Sequence, residues 1–311
     1  MSVPSKTAVP SSASQTPGKK RDALKNIADT TLGVIEAGSI TFAKSSLDLA
    51  AKVRFSNHNT RYYSPDDPIL SRWALDVPMS PRTKTEISIL EISTLAGARL
   101  LHETLSGLSS FGRIAVLNFA SATRPGGGFL GGAQAQEESI ARSSTVYPSL
   151  MTDTAQQFYK LHLRDRRGGF YHHAMIYSPS VVIFRNDSGQ WAAPFEVDVL
   201  TSAAVNAGDI RKKNGGQADH AKVESTIESE MRERMGRILS LMEQQGAKNL
   251  VLGSFGTGVF GNGVKTVARI WADLLARKGA RYRSSFDRVV FAILGTGTFT
   301  SFKQEFENST S

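Results

Sequence analysis

Twice along this chain a short, unbroken apolar strand runs into a cluster of glycines and then into a helix. The first instance is residues 114–118, followed by five glycines between Gly126 and Gly132. The second is residues 250–253, followed by Gly256, Gly258 and Gly261. A strand that is apolar at every position is buried on both faces, which requires helices above and below its sheet. The rest of the chain keeps that rhythm. Residues 87–92, 181–184, 197–200 and 288–294 read as strands, and 94–105, 136–144, 149–163, 222–245 and 264–277 as helices. Phe299, Phe302 and Phe306 stand at helical spacing and predict a closing helix on the sheet. Leu24, Ile27, Ala28, Thr31, Leu32 and Ile35 mark an opening helix stopped by Gly38. Strands alternating with helices predict a mixed α/β layered fold.

Residues 1–20 are mostly Ser, Thr, Pro, Ala and Lys, a composition that buries too little surface to offset ordering entropy, and they read as a disordered tail. Residues 21–311 are expected to form a single domain, because no repeat or linker divides them. Residues 55–84, polar and proline-rich, read as a long surface connection. Lys19-Lys20-Arg21 is either a nuclear-import fragment or the basic edge of the tail.

Composition removes several function classes. There is no cysteine, so disulfides, thiolate nucleophiles and zinc–cysteine sites are excluded. The six histidines include no metal-binding spacing, and adjacent His172 and His173 read as packing or surface residues. No metal and no cofactor is expected. No run reaches the roughly 18 apolar residues of a membrane span, and the N-terminus lacks the succession of a secretory signal, so an intracellular protein of cytoplasm or nucleus is expected. The net charge of +9 favours anionic partners. The cations are scattered without an aromatic stripe, so a phosphate-rich ligand fits as well as nucleic acid does.

The two loops carry the chemistry. Closely spaced glycines let several backbone N–H groups turn toward one anion. Directly after the first loop stand Gln136, Glu137 and Glu138 at the start of a helix. They are either acids suited to the helix dipole or working carboxylates. In the second loop Gly256-Thr257-Gly258-Val259-Phe260-Gly261 matches the dinucleotide-binding pattern letter for letter. Too little chain follows for the rest of such a domain, and no acidic residue ends the strand at 288–294 to hold a ribose. What survives is a loop at a helix N-terminus suited to a phosphate or diphosphate. A diphosphate in one loop and a sugar beside the carboxyl pair is the economical reading.

Gly126-Gly127-Gly128, seven residues, then Gln136-Glu137-Glu138 resembles the signature of poly(ADP-ribose) glycohydrolases. Gly253 to Gly261, with Phe260 near its end, is similar to that family's diphosphate loop, and Asn118 to Leu130 is similar to its microbial-type branch. The resemblance implies a macrodomain-like three-layer fold, a mixed β-sheet flanked by helices. It implies that Glu138 is the catalytic acid and that Glu137 holds the ribose hydroxyls. It places Asn118, Gly126, Gly127, Gly128, Gln136, Gly256, Thr257, Gly258, Val259 and Phe260 against the substrate, with Phe260 packed on a ribose. The implied partners are poly(ADP-ribose) on modified proteins and ADP-ribose as product, with a monomeric enzyme cutting from the chain end and no need to bind nucleic acid directly. A general acid at a helix start must hold its proton against the helix dipole, so burial and like charge are expected to raise the pKa of Glu138. Two other readings stay open: a macrodomain that binds ADP-ribose without cleaving it, and a hydrolase acting on ADP-ribose attached to protein or nucleic acid.

Overall fold

The computed structural model describes residues 17–75, 84–108, 112–164, 167–215 and 219–310. In chain order these form α1 (Pro17–Ala37), the hairpin β1 (Ser39–Phe42) and β2 (Ser45–Asp48), α2 (Leu49–Asn59), β3 (Arg61–Tyr63), the single turn α3 (Pro68–Ser71), β4 (Glu86–Leu90), α4 (Thr94–Gly107) and β5 (Arg113–Phe119). Next come α5 (Gln136–Ser143), α6 (Val146–Leu150), α7 (Asp153–Leu163), the long strands β6 (Met175–Arg185) and β7 (Trp191–Ser202), α8 (Ala207–Asn214) and α9 (His220–Gln244). The chain closes with β8 (Ala247–Leu252), α10 (Val264–Leu275), β9 (Arg288–Ala292) and α11 (Thr296–Thr310).

Seven strands make one mixed sheet in the order β3-β6-β7-β5-β8-β9-β4. From β7 to β4 every pairing is parallel, while β3, β6 and β7 pair antiparallel. The reason β5 is apolar throughout is visible in its alternation. Ala115 and Leu117 enter a core under α9, α10 and α11, and Ile114 and Val116 enter a second core under α4, α5, α6 and α7. Trp271 and Phe291 anchor the first core, and Phe302 and Phe306 of the closing helix pack on Phe291 as their spacing predicts. A smaller cluster joins Val182 and Phe184 of β6 to Ile40, Leu49 and the inner face of α1.

Because β5 and β8 are neighbours and parallel, with Val116 opposite Val251, both glycine loops leave the sheet at the same end. That end is the usual ligand crevice of such sheets.

Several expectations need correction. The helix α1 begins at Pro17, so the end of the supposed tail is ordered; proline suits the first helical position, whose N–H has no partner anyway. The tail expected over residues 1–16 lies outside the described residues. The surface connection expected over 55–84 instead contains part of α2, the edge strand β3 and α3. Three residues of strand are too few to show a period. The helix expected over 149–163 is two helices, because the Thr152 hydroxyl caps a new start by accepting from the Ala155 N–H. The strands expected at 181–184 and 197–200 lie in the C-terminal halves of β6 and β7, which run far longer, and the hairpin β1–β2 and helix α8 were not foreseen.

Candidate active site

The first loop climbs from β5 and returns into α5, and the return is held by Gln136. Its Oε1 accepts from the Phe119 N–H (2.8 Å), and its Nε2 donates to the Leu117 carbonyl (2.7 Å) and to Thr94 Oγ1 (3.2 Å). The amide is thereby spent inside the protein, and it pins the start of α5 to the end of β5. Glu137 and Glu138 then hang at the crevice, 3% and 9% exposed. Acids placed only to suit a helix dipole stand in water. These two are buried and take hydrogen bonds from the loop opposite.

Glu137 Oε2 accepts from the Ser121 N–H (2.6 Å), and its Oε1 lies 3.4 Å from Asn118 Nδ2. Glu138 Oε1 accepts from the Gly128 N–H (2.9 Å), and its Oε2 takes no hydrogen bond from the described residues. Of the four carboxylate oxygens, that last one is open to a ligand. Gly127 makes the close approach possible. It has φ +62°, and a Cβ there would collide with both glutamate carboxyls. Burial pushes the Glu137 carboxyl up to about 8; bonds from Ser121 and Asn118 oppose the rise, and the charge of Glu138 adds to it. Glu137 therefore keeps its proton near neutral pH.

Asn118 sits beneath the pair, 1% exposed. It donates to Thr201 Oγ1 (3.2 Å) from β7, while its own Oδ1 is buried without a partner among the described residues. An unpaired buried acceptor invites a donor from a ligand. Tyr159 of α7 is similar: its hydroxyl is buried and has no partner among the described residues, and burial, then the charge of Glu137, holds its pKa well above the ordinary value.

The second loop is built around Gly256, whose φ is +73° and whose Cβ would strike Ala204 and Asn262. Asn262 ties the turn shut by donating from Nδ2 to the Val205 (2.7 Å) and Gly256 (3.0 Å) carbonyls. Thr257 Oγ1 donates to the Ser254 carbonyl (2.9 Å). Gly258 faces open space, and Val259 at the tip is 87% exposed. Phe260 is half-buried; its carbonyl accepts from the Gly208 N–H (3.0 Å) at the start of α8. The two loops touch through Phe119, whose ring lies edge-on to Phe255 at 5.5 Å, against Gly253.

The sequence reading missed Ser121, Thr201, Tyr159 and Tyr171. Tyr171 has φ +53°, and its ring centre stands 5.9 Å from that of Phe260. Its loop is held from below by fully buried Arg234, which donates to the Phe170 (2.8 Å), Tyr171 (3.2 Å) and Ala203 (2.9 Å) carbonyls. The one available signal was Gly168-Gly169 just before two aromatics. His173 takes the packing role expected of it, between Arg234 and Glu230, where burial lowers its pKa to about 4. No cluster of three metal-ligating side chains occurs among the described residues. A cavity of about 510 Å³ opens elsewhere, at the opposite end of β5 between Arg113, Ser180 and Asp198, away from the glutamates.

The family model for the microbial-type PARG catalytic domain matches residues 28–186. The chain belongs to the microbial-type poly(ADP-ribose) glycohydrolases. Solved structures of such enzymes are similar over nearly the whole fold. The poly(ADP-ribose) glycohydrolase of Thermomonospora curvata is 34% identical, with 93% of this chain and 100% of that chain covered and a TM-score of 0.79. The same enzyme bound to the inhibitor ADP-HPD is 35% identical, with 92% and 100% covered and a TM-score of 0.76. The Deinococcus radiodurans enzyme in complex with ADP-ribose is 32% identical, with 83% and 98% covered and a TM-score of 0.70. No curated protein matches. The chain is thus a glycohydrolase of macrodomain-like fold. No helix among the described residues is long and apolar enough to cross a membrane.

Proposed function

We propose that this enzyme cleaves the terminal ribose–ribose bond of poly(ADP-ribose) chains on modified proteins, acting as a monomer and releasing ADP-ribose one unit at a time. The observation that carries the reading is the buried carboxyl pair with one open oxygen, Glu138 Oε2, between two glycine loops. The diphosphate of the terminal unit lies on the Gly256-Thr257-Gly258 turn, with Val259 and Phe260 closing over it and Phe260 against its ribose. The sugar to be cut lies over Asn118 and the Gly126–Gly128 turn, its hydroxyls toward Glu137 and Asn118 Oδ1. Gln136 acts by holding the pair in place.

Glu138 donates a proton to the leaving ribose oxygen as the anomeric C–O bond breaks and the sugar gains oxocarbenium character. The resulting carboxylate draws a proton from water, whose oxygen bonds to the anomeric carbon. The proton count closes, and Glu138 ends as it began.

An automodified polymerase offered to the enzyme, with products separated from the earliest times, tests this. Free ADP-ribose alone is expected. Oligomers among the first products would overturn chain-end cutting, binding without release would favour a reader, and removal of only the protein-linked unit would favour a different bond.

A further inference from the structure

The basic triplet at 19–21 has no place in the chemistry above, yet the fold brings it to the catalytic loop. Arg21 Nε donates to the Gly131 carbonyl (2.7 Å), and its guanidinium lies along that glycine. Gly132 has φ +75°, and a Cβ there would run into the Arg21 backbone, so the loop is shaped to admit α1. Farther along, Thr31 Oγ1 donates to the Arg142 carbonyl of α5 (2.6 Å). The helix faces inward through Leu24, Ala28 and Thr31. One turn before Leu24, Lys20 lies on the same line, and Arg21 stands beside it. Both are exposed.

Arg124 is the third cation. It begins the turn that presents the glycines, its carbonyl accepting from the Gly127 N–H (2.9 Å) and its N–H donating to Ser121 Oγ (3.2 Å). Its side chain is exposed, and neither it nor Lys20 makes an ion pair among the described residues. The nearest acid on α1, Asp22, is already bonded to Lys25 (3.3 Å). Three exposed cations therefore stand on the helix and the loop that lead to the glutamate pair, with no carboxylate paired to them among the described residues. Helix α1 packs on the 3-10 turn Phe129–Gly131 and on α5, the helix that carries Glu138.

In chain-end cleavage the rest of the polymer departs with the leaving oxygen. The proton donor must reach the departing oxygen, which belongs to the next ADP-ribose unit, so that unit begins beside Glu138. We propose that Lys20, Arg21 and Arg124 form a seat for the diphosphate of this penultimate unit, a subsite for the leaving chain that rests on the chain-end reading above. Its ligand is an anionic polymer segment; the terminal ADP-ribose bound over the two loops does not reach it.

The test is a double substitution, Lys20→Ala with Arg124→Ala, which leaves the Arg21 brace intact and alters two exposed positions. Steady-state kinetics are measured on long polymer and on ADP-ribose glycosidically linked to a small neutral alcohol. Expected is a rise of about five- to tenfold in KM for polymer, kcat within about twofold, and unchanged kinetics on the small glycoside. The slope of log KM against log salt should flatten by about 0.7 for each phosphate that the variant no longer neutralises. Charge reversal, Lys20→Glu, should enlarge the polymer effect. An unchanged polymer KM, or equal rises on both substrates, would overturn the seat while leaving the reaction standing. If the unmodified protein splits neither substrate, the reaction itself falls and the seat with it.

Discussion

The two glycine loops leave neighbouring strands at the same end of the sheet, yet they are finished differently. The first is closed by the protein's own groups: Gly127 and Gly128 press on the glutamates, Gln136 spends its amide on β5, and α1 is docked against Gly132. The second is shut at its base by Asn262 and open at its tip, where Gly258 meets nothing and Val259 is in solvent. A loop that must hold carboxyls in place has to be packed, because burying two acids side by side is costly and only fixed hydrogen bonds keep them aligned. A loop that must receive a diphosphate keeps its tip open to it.

The sharpest way to break this contrast is Glu138→Gln. Turnover should fall by roughly 10²–10⁴-fold, the worth of a general acid, while ADP-ribose affinity by calorimetry stays within a few-fold. Near-native turnover would remove Glu138 from the mechanism. Gly127→Ala comes next. Its Cβ collides with both carboxyls at positive φ, so about 1–3 kcal/mol of stability and roughly 100-fold in turnover should be lost together. A fall in stability with turnover intact would show that the glutamates need no such wall.

Glu137→Gln probes the burial directly. The ordinary carboxyl value is 4.5, and here it is raised to about 8. A raised value means the folded state holds the proton more tightly, so the linked stability is whole below pH 4.5 and lost as pH climbs through 8. The uncharged glutamine escapes that loss. Its melting temperature should exceed the parent's by on the order of a few degrees above pH 8, with the gap closing below pH 4.5. A gap that does not change with pH would count against the buried charge. The mildest change is Gly258→Ala, the same substitution as at 127 but in the open loop. Melting should not move, and ADP-ribose affinity should weaken by about tenfold, roughly 1.4 kcal/mol; a loss of stability there would erase the distinction between the loops.

The parts of this molecule that sequence made legible are those with a period or a fixed spacing. β5 and β8 were readable as buried strands because both faces are apolar, and α9 and α11 because their apolar residues recur at helical intervals. The Gly126–Glu138 spacing marked the acidic loop. β3 was hidden in a polar segment because three residues show no alternation, and α8 because its sequence is largely polar, held by the Asn206 cap. Within the site, Glu137 and Glu138 are adjacent letters with different fates. Which one is buried deeper depends on Ser121 and Asn118, brought from other parts of the loop and strand. Tyr171 reaches Phe260 across 89 positions, a contact set by Arg234 beneath the loop and by no local pattern.

The pairing of Val116 with Val251 has one more consequence. Parallel strands carry their loops like marks on a sliding rule, each residue advancing about 3.3 Å. Sliding β8 by two residues would keep every apolar side chain on its proper face, yet move the diphosphate cradle about 6.6 Å relative to the glutamates. The register in the middle of the sheet, far from any reacting atom, therefore sets the length of molecule that can touch both loops at once.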